Sequence, residues 1–130
     1  MSFLKRFRRK EEQTVIHSSR TTSELEQLCG DDRETFEALK HTMFLDPRKM
    51  ATSSKEAAEN ANKFVKEGNK ARARIWYDIA GGLAIYEGNV KKVVEFFSES
   101  EKLSGLKYPI LKDAEKAVAK AHEYYEKHLK

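Results

Sequence analysis

The chain has 130 residues, of which 39% are hydrophobic and 35% are charged. A chain of this length fits one domain with a single core, and its apolar fraction excludes a wholly disordered protein. Its two prolines and six glycines are few for a sandwich or barrel, which need many turns. The composition therefore predicts an all-α fold.

The sequence also disfavours membrane-spanning and secreted classes. The longest weakly polar run, from Ile79 to Tyr86, is far shorter than the roughly 20 residues of a membrane-spanning helix. Cys29 is the only cysteine, so no internal disulfide can form, and no apolar segment follows the basic start as in a signal peptide. We therefore expect a cytoplasmic protein.

Positive charge is concentrated at the N terminus. The first 20 residues contain six Lys and Arg and two Glu, whereas the remaining 110 contain 19 basic and 19 acidic residues. Residues 8–22 offer only Val15 and Ile16 for burial, and Ser and Thr cluster there as in a linker. The sequence predicts a basic, flexible arm over residues 1–20 and a single helical domain over residues 21–130.

The first helix is predicted near residues 23–29. Ser23 and Glu26 have the spacing of a capping box, in which a hydroxyl and a carboxylate bond the free amides of a helix N terminus. Gly30 follows as a residue that can end the helix.

Residues typical of helix ends also predict the next two helices. Asp31 and Asp32 can cap the second helix, whose hydrophobic face repeats at helical spacing until Pro47 ends it. Ser53 begins the third helix with another capping-box spacing, and an alanine-rich stripe continues to Gly68. The alanines predict a close approach of a neighbouring helix.

The fourth helix, from Lys70 to Glu87, has apolar residues on two faces, which predicts a central helix packed on both sides. Gly81 and Gly82 lie within it, and each costs about 1 kcal/mol relative to Ala. We therefore expect either close packing or a break at these glycines.

Two further helices complete the domain. An apolar stripe starts at Val90 and runs out at Ser104 and Gly105. The final helix is predicted to begin near Pro109, a residue suited to a first turn, and its apolar spacing continues to Leu129.

The triplet Glu-Gly-Asn joins two apolar segments twice, at residues 67–69 and 87–89. Glycine accepts the left-handed conformation that ends a helix, and such short turns make neighbouring helices antiparallel. Here the chain resembles the tetratricopeptide-like repeats, in which small residues on one helix receive an aromatic residue of the next. Two overlapping units carry the resemblance: Ala57, Ala61, Gly68, Asn69, Ala73, Tyr77 and Ala80, and then Tyr77, Ala80, Gly81, Ala84, Gly88, Asn89, Val93, Phe97 and Ser100.

The resemblance implies stacked antiparallel helical hairpins with an inner surface that binds peptides. The two glycine turns are 20 residues apart and share one helix, whereas complete repeats of this family are about 34 residues long. Two all-α architectures with five to six helices therefore stay open: a short tetratricopeptide-like array and an irregular helical bundle.

No residue pattern in the sequence predicts catalysis or metal binding. Four histidines are dispersed, and His122 with Glu126 supplies too few ligands for a zinc site. There is no phosphate-binding loop or dinucleotide fingerprint. We therefore expect no enzyme activity, cofactor or metal; an enzyme or accessory subunit whose site is assembled by the fold is an open alternative.

The start of the basic arm combines three apolar residues on one side of a helical turn with five cations. This pattern suits peripheral contact with an anionic membrane or a partner groove, and the cations would also bind nucleic acid without sequence preference. A disordered solubilising tail is the alternative. The candidate residues are Phe3, Leu4, Lys5, Arg6, Phe7, Arg8, Arg9 and Lys10.

A second basic cluster surrounds the first Gly-Asn turn. In tetratricopeptide-like domains the inner helical surface holds peptides, so lysines and asparagines here would bind acidic side chains or a C-terminal carboxylate. A solvated helix face is the alternative. The candidate partner-binding residues are Asn62, Lys63, Lys66, Asn69, Lys70, Arg72 and Arg74.

The leading hypothesis is a cytoplasmic helical adaptor that binds a protein or peptide partner, with an acidic partner as one expectation, and that the arm tethers. A nucleic-acid-associated protein comes second. The neutral body disfavours it, because dedicated nucleic-acid domains carry a basic stripe on the fold itself. The enzyme or accessory subunit comes third.

Overall fold

The protein, seen in a computed structural model, is described over residues 19–43, 47 and 50–128. These residues form six α-helices and one short 3-10 helix, with no strand among them, and pack as a compact helical bundle. The predicted all-α class with five to six helices is confirmed. The elements are α1 (Ser19–Cys29), α2 (Arg33–Thr42), α3 (Ser54–Lys66), α4 (Lys70–Glu87), α5 (Val90–Ser104), the 3-10 helix (Pro109–Lys112) and α6 (Ala114–His128).

α1 begins one turn earlier than the sequence predicted. It starts at Ser19 and contains Ser23, so the capping box predicted at Ser23 is wrong. Ser19, Thr21 and Thr22, which resembled a linker, belong to the helix instead, and the amides that Ser23 would have capped lie inside it. The predicted stop is confirmed, since Gly30 follows α1 with a φ of 58°.

The predicted caps of the next two helices are confirmed. Asp32 caps α2, where its carboxylate accepts the backbone N–H of Thr35 at 3.2 Å. Ser53 caps α3, where its hydroxyl oxygen accepts the N–H of Glu56 at 3.1 Å. These side chains satisfy amides that have no partner within their own helices.

The end of α2 differs from the prediction. The helix ends at Thr42, and its last bond runs from the N–H of Met43 to the carbonyl of Leu39 at 2.8 Å. Pro47 therefore does not end it directly. Residues 44–46, which the predicted helix included, lie outside the described residues.

The last helix was predicted to begin near Pro109, and this was wrong. Pro109–Lys112 is a 3-10 turn, and α6 begins at Ala114. Asp113 separates the two because its carboxylate accepts the N–H of Lys116 at 3.2 Å, which caps a new helix.

α3, α4 and α5 form two antiparallel hairpins that are joined by matching turns. Gly68 and Gly88 adopt left-handed φ angles of 78° and 76°. The following N–H bonds the carbonyl five residues earlier, at 2.9 Å for Asn69 and 3.0 Å for Asn89. Each Asn side chain then caps the next helix. The predicted Glu-Gly-Asn turns are confirmed, and both are Schellman motifs.

α4 is the central helix of this unit and packs along both α3 and α5. Every residue from 80 to 85 is buried, but Ile75 and Tyr86 are 55% and 44% exposed. The prediction of two buried faces therefore holds for part of the helix. The reason is that α6 crosses α4 at its C-terminal end, where His122 bonds the carbonyl of Ile85.

Close packing explains the two glycines inside α4. The helix is unbroken through Gly81 and Gly82, so the predicted break is wrong. The ring of Phe97 from α5 lies directly over Gly81, where a Cβ would be 2.5 Å from the ring Cζ. The predicted close packing is confirmed at Gly81.

α6 joins the hairpin unit to α1 and α2. It packs on α4 and α5 on one side and contacts α1 and α2 on the other. Lys116 reaches the cap carboxylate of Asp32 at 2.8 Å, and His128 lies 3.3 Å from Glu24 of α1. One hydrophobic cluster extends through all these layers. None of the described helices has the length and apolar character needed to cross a membrane.

Candidate partner-binding groove

A groove of about 530 Å³ lies between α3 and α5. It forms because both helices pack along α4, so a strip of α4 faces outward between them. α3 contributes Ala58, Glu59 and Asn62 to the walls, among others, and Tyr77 of α4 lies between the two helices. The groove therefore follows from the two hairpins and their short turns.

Two aromatic rings form the apolar floor of the groove. Tyr77 and Phe96 have ring centroids 6.3 Å apart and an angle of 31° between their planes. Phe96 is 4% exposed, whereas Tyr77 is partly buried. The Tyr77 hydroxyl makes no hydrogen bond to another described residue. The floor thus offers both aromatic area and a free hydroxyl.

Carboxylates outnumber ammonium groups in the groove lining. Glu59, Glu95 and Glu99 lie there with Lys55 and Lys92, an excess of one negative charge. Lys92 lies 3.2 Å from Glu95. Burial, with the charges of Glu99 and Glu95, raises the pKa of the Tyr77 phenol, so the carboxylates act on the floor itself.

Ser54, a residue of the groove lining, is bonded to the end of α4. The Glu87 carboxylate, at the end of α4, accepts the Ser54 hydroxyl at 2.6 Å and the Ser54 N–H at 3.3 Å. The carboxylate accepts from an amide that has no partner within α3, and its negative charge interacts favourably with the positive end of the α3 dipole. This contact holds the start of α3 against the end of α4.

The predicted partner-binding cluster and the groove coincide at one residue. Asn62 lines the groove, whereas the other six predicted residues lie outside its lining. The Asn69 side chain is used as the cap of α4, and the Arg72 guanidinium stacks over the Phe64 ring at 5.7 Å. The lysines are exposed and form no ion pair within the described part of the chain: Lys63, Lys66 and Lys70.

Arg74 belongs to a polar network at the other side of α4. Its Nε donates to the Tyr108 hydroxyl at 3.1 Å, and that hydroxyl donates to Asp78 at 2.8 Å. Burial raises the pKa of Asp78, while the hydrogen bond from Tyr108 and the charge of Arg74 act to lower it. The Ser100 hydroxyl is buried and makes no hydrogen bond to another described residue. The network fastens the segment before the 3-10 helix to α4, so Arg74 has a structural role.

The remaining titratable candidates also have structural surroundings. No group of three or more His, Cys, Asp or Glu side chains that would hold a metal occurs in the described residues. His122 Nε2 lies 3.0 Å from the Ile85 carbonyl, to which it donates. Cys29 is buried, and that burial raises the pKa of its thiol.

Residues 3–10 lie outside the described residues, so their role at a membrane or in a partner groove stays a prediction.

The acidic groove lining was missed at the sequence level. The sequence predicted Tyr77 only as a packing residue of the tetratricopeptide-like units, and it predicted no site at Glu59, Glu95 or Glu99. The signal was spacing: Asn89, Lys92, Phe96 and Glu99 recur at intervals of three and four, so they share one face of α5. That face lines the groove once α5 is placed as the partner of α3.

Comparisons with known proteins add no relative. Protein-family models, curated proteins and solved structures gave no significant match to this chain. The resemblance to tetratricopeptide-like repeats stays a prediction that is carried by its own residues.

Proposed function

We propose that this chain is a helical protein-interaction module that binds a peptide segment of a protein partner in the groove between α3 and α5. The observation that carries the proposal is the aromatic pair Tyr77 and Phe96 at the floor of an open cleft of about 530 Å³. Clefts of a few hundred Å³ with an apolar floor and a few polar groups are typical of binding sites.

The groove lining supports binding of a peptide with aromatic and basic side chains. An aromatic side chain of the peptide would pack on the floor, and the Tyr77 hydroxyl and Asn62 amide offer hydrogen bonds to its backbone. The excess of carboxylates favours basic over acidic groups. An acidic partner, as predicted, would have to contact the lysines outside the groove, and that role stays a prediction.

The proposed function is tested by affinity capture with the full-length chain and matched charge-reversal variants. Glu59→Arg with Glu95→Arg changes the groove, whereas Glu67→Arg with Glu115→Arg makes the same change at exposed positions outside the lining. We expect the groove variant to bind the captured partner at least about tenfold more weakly, a change of about 1.4 kcal/mol in binding free energy. The control variant should retain it.

Circular dichroism and thermal melts of both variants verify that they fold. Equal capture by the groove variant and the control would contradict the proposal. Capture that is competed by DNA and insensitive to the groove variant would favour the nucleic-acid alternative. The prediction that the chain is not an enzyme is independent of this test and stays a prediction.

A further inference from the structure

The chemistry of the groove matches one segment of this chain. Its lining has an excess of one negative charge and an aromatic floor. Residues 3–10 contain five basic side chains, no acidic one, and the apolar Phe3, Leu4 and Phe7. Apolar anchors and cations are the two groups that an acidic groove with an apolar floor binds.

The negative charge is placed where such a segment would bind. The charges of Glu99 and Glu95, after burial, raise the pKa of Tyr77, so their field reaches the floor of the groove. A Lys or Arg beside that ring would be attracted by both carboxylates and by the face of the aromatic ring. Lys92 already has this relation to Phe96, with its ammonium 5.6 Å from the ring centroid.

The length of the segment is also comparable with the path to the groove. α1 begins at Ser19, and Glu24 on the same helix contacts His128 of α6. Along α6, His122 contacts the end of α4, four residues before Asn89 of the groove. These three helical stretches amount to about 22 Å of rise plus the two side-chain contacts.

The 12 residues from Phe7 to Ser19 extend to about 40 Å. This maximum span is comparable with the helical rise and the two side-chain contacts that lead to the Asn89 end of the groove.

We infer that residues 3–10 occupy the groove of their own chain, with Phe3 and Phe7 on the aromatic floor and the cations facing Glu59, Glu95 and Glu99. This inference rests on the proposed function, since it requires the groove to bind peptides. The segment then acts as an internal competitor: a short tether gives an effective concentration of the order of millimolar. A partner must displace it, so its apparent affinity is reduced.

The test uses the full-length chain and a fluorescent peptide with the sequence of residues 1–12, measured by anisotropy. The wild type is compared with the Phe3→Ser/Phe7→Ser variant, which loses the internal anchors but keeps every charge. We expect the peptide to bind the variant at least about tenfold more tightly, because its groove is open. Adding Glu95→Lys and Glu99→Lys should then weaken peptide binding about tenfold or more. Glu115→Lys with Glu126→Lys, at exposed positions of α6, is the matched control.

Equal peptide affinity for the wild type and the Phe3→Ser/Phe7→Ser variant would overturn the inference and leave the groove as a peptide site. No binding to that variant would also overturn it, and the capture experiment with Glu59→Arg/Glu95→Arg would still decide the proposed function separately.

Sedimentation velocity tests the remaining arrangement, in which the segment binds the groove of a second copy of the chain. A dimer that forms with rising concentration in the wild type and is lost in the variant would place the segment in a second copy and overturn occupancy within one chain. A monomer throughout, with the tenfold difference, supports the inference.

Discussion

The ring of Phe97 fills the space that a side chain at Gly81 would need. A Cβ at Gly81 would lie 2.5 Å from Cζ of Phe97 and under 3 Å from both Cε atoms. Phe97 has no exposed surface, so its ring has no free space into which to move. The absence of a side chain at position 81 therefore sets how closely α4 and α5 approach.

Gly81→Ala should destabilise the protein although Ala is the better helix former. Helix propensity alone would raise the free energy of unfolding by about 1 kcal/mol, but overpacking of a filled core costs typically about 1–3 kcal/mol. We expect a net loss of stability in urea unfolding. In a Phe97→Leu background, which removes the ring atoms that clash, the same change should be neutral or stabilising. A more stable Gly81→Ala variant in the wild-type background would contradict this packing.

Glu87→Ala should destabilise α3, because its carboxylate bonds the hydroxyl and N–H of Ser54. Loss of such a cap costs typically about 1 kcal/mol. The chain supplies its own control: Glu67 occupies the same position of the first Glu-Gly-Asn turn and is exposed. Glu67→Ala should change the midpoint of urea unfolding little. Equal effects of the two substitutions would show that the contact with Ser54 contributes no stability.

The features that the sequence predicted correctly have local causes. The Glu-Gly-Asn turns were predictable because a left-handed glycine followed by a capping Asn needs no distant partner, as at Gly68 and Gly88. The same is true of the caps Asp32 and Ser53. Where two local signals competed, the prediction failed: Pro109 suggested a helix start, but the cap formed at Asp113.

The groove could not be predicted in the same way because it depends on how three helices diverge. Tyr77 has the spacing of a packing residue, and its partial burial follows from the separation of α3 and α5. Glu95 and Glu99 look like solvated charges until the fold places them in the groove lining near that ring. The predicted basic cluster shows the converse, since residues close in sequence, such as Lys63 and Arg74, face different surroundings in space.

Asp32 should make stability depend on acidic pH. The hydrogen bonds from Lys116 and Thr35 lower the pKa of its carboxyl from 3.8 to about 2. A carboxyl with a lowered folded pKa stabilises the fold above its unfolded pKa, and this contribution is lost as pH falls through the folded value. The stability difference between the wild type and Asp32→Asn should therefore be largest above pH about 4 and shrink toward pH about 2. Thermal melts across this range measure it, with Asp31→Asn as the control. A pH-independent difference would contradict the ion pair with Lys116.

Cys29 should be unreactive in the folded protein. Its side chain is 6% exposed, and burial raises the pKa of the thiol, so little thiolate forms and little reagent reaches it. We expect modification by a disulfide reagent at pH 8 to be at least about a hundredfold slower in buffer than in unfolding concentrations of urea, as the thiol reacts through opened states. Rapid modification in buffer would show that α1 separates readily from α6.

Tyr108→Phe removes a single hydroxyl from the polar network of Arg74, Asp78 and Tyr108. The Tyr108 ring packs on Phe97 with centroids 5.6 Å apart, and Phe keeps that contact. The substitution removes the donor to Asp78 and the acceptor of Arg74. Arg74 Nε stays 3.7 Å from Asp78 Oδ2 as an ion pair, so the expected cost is that of a lost hydrogen bond, about 1 kcal/mol. Tyr86→Phe, at a 44% exposed position, is the matched control and should cost far less.

The effect of Tyr108→Phe should also depend on pH, because the Tyr108 hydroxyl stabilises the charged form of Asp78, whose pKa is shifted in the direction opposite to that of Asp32. Burial raises the pKa of Asp78 above its ordinary 3.8, and loss of the Tyr108 donor should raise it further, because that bond favours the charged form. A folded pKa above the unfolded value means that the folded state binds the proton more tightly, so stability is gained as pH falls through the folded pKa toward 3.8. The variant should therefore lose less stability at pH about 4 than at pH about 7, as measured by urea unfolding at both values. Asp78→Asn, which removes the titrating group, should abolish this difference. If Tyr108→Phe costs the same at both pH values, the hydroxyl does not stabilise the charged carboxylate of Asp78.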